Sequence, residues 1–421
     1  MIWLNLYQII VLFILIIIIT NVVNKKRILI VTECFYPEEF KINEIALYWK
    51  SIGYEVGVLT LAPTYPKGKI HKGYKNKLFQ KESYHGINIY RVYAITGYVD
   101  SKFNKILKYL SFMVLGSILS IFIGRKYDYI FGYNLGALTD MLPAVLIKKI
   151  YQKPLMFWVQ DIWPDSLYAY GFKRTIMLSG ILNFFVKFIY SNANNIGISG
   201  KGFESKLKFF TKPNQKFYYL PNWADPLDDN QERVNLSQET NVHFTFAGNI
   251  GKVQNLENII YSFCALSEAK KRKSQLNIIG DGSNLMNLKK LANNDEKIIF
   301  HGTIKRKNMS SYYKSSDFLI VSLIDKPIFK VTVPAKIQTY IAAKKPILAI
   351  INGDTADIVT QNKLGLSVNP SDIVLIREAL EKCINMSEDE KVGFTKNSEK
   401  ILRTVFNKNT IMNDMTNILT N

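Results

Sequence analysis

An alternation that runs twice constrains this chain more than any other feature. From residue 27, short apolar runs rich in β-formers recur as RILIVT (27–32), EVGVLTL (55–61), INIYRVY (87–93), YDYIFGY (127–133) and PLMFWVQ (154–160). Between the first two, FKINEIALYWKSI (40–52) places Ile42, Ile45, Ala46 and Trp49 at helical spacing, and Gly53 stops the helix. Further helices are expected over 106–123 and 136–150. The pattern restarts at HFTFAG (243–248) and continues through QLNIIGDG (275–282), KIIFHG (297–302), DFLIVSL (317–323), PILAIIN (346–352) and LGLSVN (364–369). Helices are expected there near 255–269, 283–293 and 307–315. Strands alternating with helices build parallel sheets covered on both faces, so the chain is expected to be α/β with two such domains. Pro213, Pro221, Pro226 and the polar run Asp228 to Thr240 mark 211–241 as the linker region.

The N-terminus adds a different constraint. Residues 1–24 carry no charged side chain, Ile9 to Ile19 is unbroken apolar, and Lys25-Lys26-Arg27 follows at once. That length reaches the roughly 20 residues a bilayer span needs, and the basic flank keeps the rest of the chain cytoplasmic. A cleaved signal peptide would carry its positive charges before the apolar run and a small-residue cleavage site after it, and neither is present. A single-pass anchor over 1–24 in the inner (cytoplasmic) membrane is expected, with the domains in the cytosol. A second apolar stretch, 106–124, is interrupted by Lys108 and by Gly116-Ser117. Two readings fit it, a helix on the membrane surface and a buried core helix.

With 54 Lys+Arg against 34 Asp+Glu the formal charge is +20, which points to anionic partners. Nucleic acid is not among those expected, because the largest basic cluster, Lys270-Lys271-Arg272-Lys273, is short and has no interleaved aromatics. Cys34, Cys264 and Cys383 form no CxxC, and His71, His85, His243 and His301 show no ligand spacing, so no metal site is expected.

In open α/β sheets ligands sit at the carboxyl ends of the strands, so two Rossmann-like domains facing each other would put the chemistry in an interdomain cleft. The turn Gly248-Asn249-Ile250-Gly251 with Lys252 leads into a helix and offers amides and a charge to a phosphate, while glycine at such a turn also serves close packing alone. Neither a P-loop nor a GxGxxG fingerprint is present, which weakens ATPase and dinucleotide readings. A metal-dependent transferase would need a DxD motif, and Asp228-Asp229 lies in the linker. Asp161 follows an apolar strand, where a carboxylate can meet ligand hydroxyls or developing positive charge, or cap a helix. Asp165 fits a cap or a ligand contact, and Trp163 fits ring stacking on a ligand or packing. Glu38 and Glu39 fit ligand hydroxyls or a helix dipole. Gly280-Asp281-Gly282 fits a tight turn with its backbone facing a ligand.

These segments in order, FYPEEFKINEIA, APTYPKGKIHKGY, HGINIYRV, WVQDIWPDSLYAYG, LPNWAD, FAGNIGKVQNLENII, IIGDGS, IIFHG and VPAKIQTYIAAKKPILAIINGDTADIV, resemble glycosyltransferase family 4 with its GT-B fold. Within it they are similar to the bacterial O-antigen and capsule L-fucosamine-transferase-like subgroup. The resemblance covers residues 27–421. It implies retaining transfer from a nucleotide-sugar, a UDP-sugar first, to a polyprenyl-diphosphate-linked saccharide, with no cofactor or essential metal. It also implies an acceptor-binding domain at 25–221, a donor-binding domain at 222–395 and a terminal helix at 396–421 returning to the first domain. Within this reading the expected donor contacts are Gly248, Asn249, Gly251, Lys252, Gly280, Asp281, Gly282, Lys305, Pro334, Lys336 and Tyr340; Glu38, Glu39, Trp163 and Asp165 are expected to face the acceptor and Asp161 to be catalytic, where many members of the family carry a His near the positions of Gln160 and Asp161. The chain departs from the family where an acidic pair is usual, because Thr332 and Tyr340 stand there, and Asn249 and Gln254 replace a usual Arg and Lys. Lys252, Lys305, Arg306 or Lys336 must then neutralise a diphosphate. The alternative is an inactive, membrane-anchored sugar-nucleotide-binding or scaffold protein.

Overall fold

A computed structural model of the chain describes residues 25–99, 101–169, 173–228, 230–236 and 242–421. The anchor expected over 1–24 lies outside the described residues. The chain forms two compact units. The first comprises the described residues up to Gln160 with Phe188–Ile196 and Thr416–Asn421, and the second comprises Asp161–Lys187 and Gly197–Met415.

Eight strands make the first sheet: β1 (Arg27–Val31), β2 (Glu55–Leu61), β3 (Phe79–Tyr84), β4 (Ile87–Val92), β5 (Tyr129–Asn134), β6 (Leu155–Val159), β7 (Asn195–Ile198) and β8 (Lys216–Tyr219). Their order is β3-β4-β2-β1-β5-β6-β7-β8. The β1–β2, β1–β5, β2–β4 and β5–β6 pairings are parallel, and β3–β4 is an antiparallel hairpin at the edge. β1 is buried from Ile28 to Val31 because it runs through the middle of this sheet, with Ile42, Ile45 and Trp49 of the helix Lys41–Ser51 also fully buried. Trp49 Nε1 donates to Thr416 Oγ1 at 2.8 Å, which ties the chain end into the first unit.

The second sheet contains β9 (Val242–Ala247), β10 (Ser274–Ile279), β11 (Ile298–Gly302), β12 (Phe318–Ser322), β13 (Ile347–Ile350) and β14 (Gly365–Val368), in the order β11-β10-β9-β12-β13-β14. All of its pairings are parallel. Phe244 and Phe318 stack across β9 and β12, ring centres 5.5 Å apart, in a core completed by Ile259, Phe263, Leu380 and Cys383 from helices.

The stretch 106–124 is helical, with one face in the core and one exposed. Lys102–Ser111 is helical, Phe112–Gly116 forms a wider π turn, and Ser117–Ile123 resumes the α-helix. Phe112, Gly116, Ser120 and Ile123 are buried, while Phe103, Ile106, Leu110, Val114, Ile118 and Phe122 form an exposed apolar stripe. By length and composition Phe103–Lys126 is the one helix among the described residues able to cross a membrane, but 33% of its most apolar window is buried inside the protein. Lys108 on it is ion-paired with Glu33 in the interior, as a core helix requires.

Candidate functional site

The second sheet reverses its winding between β9 and β12, and in such sheets the crevice at the carboxyl ends beside that reversal receives the ligand. Three loops are sewn together there. Gly248 N donates to Ile279 O at 3.0 Å, Ile250 N to Asp281 O at 2.8 Å, and Gly280 N to Gly302 O at 2.8 Å. Gly280 has φ +135°, and a Cβ on it would stand 1.9 Å from Gly248 O, so only glycine allows the two loops to touch. Between the loops and Thr303, Ile304 and Met309 lies a cavity of about 430 Å³ that Gly248, Asn249, Gly280 and Asp281 help to line.

Lys336 reaches this cradle. Its Nζ would lie 3.0 Å from a Cβ placed on Gly248, and it sits 3.7 Å from the centre of the Phe246 ring. The Nζ is buried and, among the described residues, has no hydrogen-bond partner, although part of the residue is exposed. Burial pulls its pKa down to about 7, and no carboxylate among the described residues offsets the lost hydration. The Phe246 ring face favours the ammonium but does not replace a counter-ion.

The other expected donor contacts divide. Gly248, Asn249, Gly280 and Asp281 line the cavity. Gly251 N donates to Gln254 Oε1 at 2.9 Å, and a Cβ on Gly282 would press on Ile250 O at 2.3 Å, so both shape the loops. Lys252 and Lys305 are exposed, and Pro334 is partly buried near Lys336 in sequence. Arg306 lines the cavity, with its guanidinium 3.0 Å from Asp225. Tyr340 is fully buried. Its hydroxyl accepts from Ala247 N at 3.0 Å and donates to Ala247 O at 3.3 Å, so it holds the end of β9. Thr332 is spent on its own helix, donating to Ile328 O at 2.8 Å.

The first sheet reverses between β1 and β5, and a cavity of about 720 Å³ opens at the carboxyl ends there. Glu33, Tyr65, Tyr98, Lys105, Lys108 and Tyr109 line it, a mixture suited to a hydroxyl-rich ligand. Glu33 and Lys108 form a buried ion pair. Asp140 lies buried with them, and desolvation first, then the Glu33 charge, push its carboxyl well above the usual range. The sequence signalled this cluster only as a lone lysine interrupting an apolar helix. Glu38 accepts from Thr64 N at 2.7 Å and Tyr65 N at 2.6 Å, so its carboxylate fixes the neighbouring loop. Glu39 is exposed.

Beyond β6, Asp161 Oδ1 accepts from Ile162 N at 2.9 Å, and burial raises its carboxyl to about 6. Trp163 is buried, which favours packing over an open stacking platform. Asp165 begins the short helix Asp165–Ala169 and lines a third cavity, of about 540 Å³. Among the described residues no three His, Cys, Asp or Glu side chains gather to hold a metal ion.

Comparison with solved proteins identifies the fold as GT-B. Sucrose-phosphate synthase from Thermosynechococcus elongatus superposes with a TM-score of 0.69 at 13% identity, covering 94% of this chain and 98% of its own. The E. coli trehalose-6-phosphate protein bound with UDP-2-fluoro glucose gives 0.69 at 10%, covering 94% and 99%. Anabaena Alr3699/HepE in complex with UDP and glucose gives 0.62 at 12%, again covering 94% and 99%. Residues 228–400, which hold the glycine cradle and Lys336, match the family Glycosyl transferases group 1. The probable glycosyltransferase WbjE of Pseudomonas aeruginosa is 25% identical over 236 residues, which is 53% of this chain and 58% of that relative's length.

Proposed function

We propose that the chain is a glycosyltransferase that moves a sugar, with retention, from a nucleotide-sugar, a UDP-sugar first, to a polyprenyl-diphosphate-linked saccharide of a bacterial surface polysaccharide such as O-antigen or capsule. The observation that carries this reading is Lys336 Nζ, shut off from water beside a glycine cradle and without a counter-ion among the described residues. A buried ammonium is costly unless paired, and a nucleotide diphosphate supplies about two negative charges. The group 1 match over this segment supports the reading, as do the UDP and UDP-2-fluoro glucose held by two proteins of the same fold. Asp161 is the carboxyl proposed to meet the transferred sugar, and Asp165 belongs to the acceptor side. Anchoring through 1–24 with the domains cytoplasmic belongs to the same reading, supported by Lys25-Lys26-Arg27 and by the exposed stripe from Phe103 to Phe122.

The test incubates membranes carrying the full chain with radiolabelled UDP-, GDP- and dTDP-sugars and lipid-linked acceptors, beside calorimetry with UDP. Transfer by the wild type, lost in Lys336→Ala, supports the reading. Donor binding without transfer by any sugar indicates the inactive binding protein, and the absence of both overturns the reading.

A further inference from the structure

The cavity that Asp165 lines has a second character. Arg174, Lys187 and Lys206 line it, and among the described residues no carboxylate is ion-paired with any of them. The Arg174 guanidinium lies 5.6 Å from the centre of the Tyr168 ring, whose hydroxyl is 3.0 Å from Ser179 Oγ, so this cation is held in place. Phe184, Phe209 and Phe210 supply apolar wall. The helix Ile176–Tyr190 beside it is apolar on its outer face, where Met177 (77% exposed), Ile181 (58%) and Phe184 (75%) follow one another at helical spacing with Ile176 at their head. Such a contiguous apolar stripe is unusual on a free surface.

A cluster of unpaired cations calls for a multivalent anion, and the stripe that leads away from it calls for hydrocarbon. We propose that this cavity seats the diphosphate of a prenyl-diphosphate lipid, with the prenyl chain laid along Met177, Ile181 and Phe184. Docking to a bilayer leaflet would use the stripe and the charges, but it needs neither a concave seat nor aromatic walls. The inference rests on the transferase reading, in which Asp165 faces the acceptor, and adds the place where the acceptor's lipid head is held.

The probe is farnesyl diphosphate below its critical micelle concentration, titrated into the detergent-solubilised full chain, with inorganic diphosphate and phosphatidylglycerol vesicles as comparison arms. Farnesyl diphosphate should bind about tenfold or more tighter than inorganic diphosphate, since each buried carbon of the chain adds affinity. The pair Lys187→Ala/Lys206→Ala and, separately, the pair Ile181→Ser/Phe184→Ser should each weaken it by about tenfold, as expected for lost charge-assisted contacts or apolar burial. UDP affinity, read on the same samples, should stay unchanged and shows that the variants are folded. Equal binding of the two diphosphates, no loss in either pair, or a response of vesicles alone overturns the proposal. Farnesyl diphosphate binding without UDP binding would sink the donor reading and leave this site standing, and the reverse result would do the opposite.

Discussion

If Lys336 is neutral in the free protein and charged under a diphosphate, donor binding must take up a proton. With a free pKa of about 7, only about one-tenth of Lys336 is protonated at pH 8. A bound diphosphate that restores the ordinary value of 10.5 would raise that to nearly all, an uptake of about 0.9 proton per UDP. At pH 8 the nucleotide's own phosphates are fully ionised and contribute little. Calorimetry of UDP binding at pH 8 in phosphate and in Tris, whose ionisation enthalpies differ widely, reads the uptake as a slope. By linkage the affinity should fall about fifty-fold between pH 7 and pH 9. Lys336→Met should bind about 10- to 100-fold more weakly at pH 7, with a slope near zero and a flat pH profile. The same group acts on folding with a determined sign. Its native pKa lies below the unfolded value, so the unfolded chain holds more protons, and stability rises from about pH 7 to 10.5. Uptake below about 0.2 proton in the wild type, or an unchanged slope in Lys336→Met, would refute the electrostatic argument.

Removing one partner of a buried ion pair costs more than removing both, so Lys108→Met should lower stability by about 3–5 kcal/mol in urea unfolding, and Glu33→Gln/Lys108→Met should recover part of the loss. Asp161 carries a native pKa raised to about 6, so the stability it contributes is present below pH 3.8 and lost as pH rises through 6. Asp161→Asn should therefore stabilise the protein by about 1–3 kcal/mol at pH 7.5 while abolishing transfer, and a variant that melts lower would contradict the burial argument. Gly280→Ala forces a Cβ onto Gly248 O and should cost UDP binding, whereas Gly393→Ala, inside the helix Glu388–Thr404 with open space at its Cβ, should gain about 0.5–1 kcal/mol. Protease added to sealed, right-side-out membranes should spare residues 28–421, and digestion of that domain would refute an outside N-terminus with the domains in the cytosol.

Central strands were legible because they are buried on both faces. QLNII and DFLIVS carry their signal in composition alone, and the end of the first at Gly280 follows from turn chemistry. β3, reading FQKESY, had no such signal, since an edge strand with one face in solvent needs no apolar run. The helix Ile176–Tyr190 hid for the opposite reason, because it turns apolar residues outward and so defeats a rule that expects polar ones there. At the site, position was legible in part and state was not. Lys336, expected in a short connection after β12, instead opens the helix Lys336–Ala342, beyond the intervening helix Pro327–Val331, and its unpartnered burial depends on Phe246 and Gly248, nearly ninety residues earlier in the chain. Glu38 looked like a ligand for hydroxyls and is consumed by two amides that no local pattern predicts.

The pairing of β9 with β12 stops at Thr245 and Leu319, although β9 itself runs on to Ala247. Beyond that point the neighbour of the strand on the β12 side is the Tyr340 hydroxyl, which takes both backbone groups of Ala247. A sheet parted by a phenol cannot zip together when a ligand leaves, since closing would strand that hydroxyl in the interior. Empty and filled cradles should therefore share one backbone, and a nucleotide entering here would displace water rather than order a loop. Association then spends little of its free energy on conformational freedom, and its rate should follow charge and salt more than temperature-dependent loop closure.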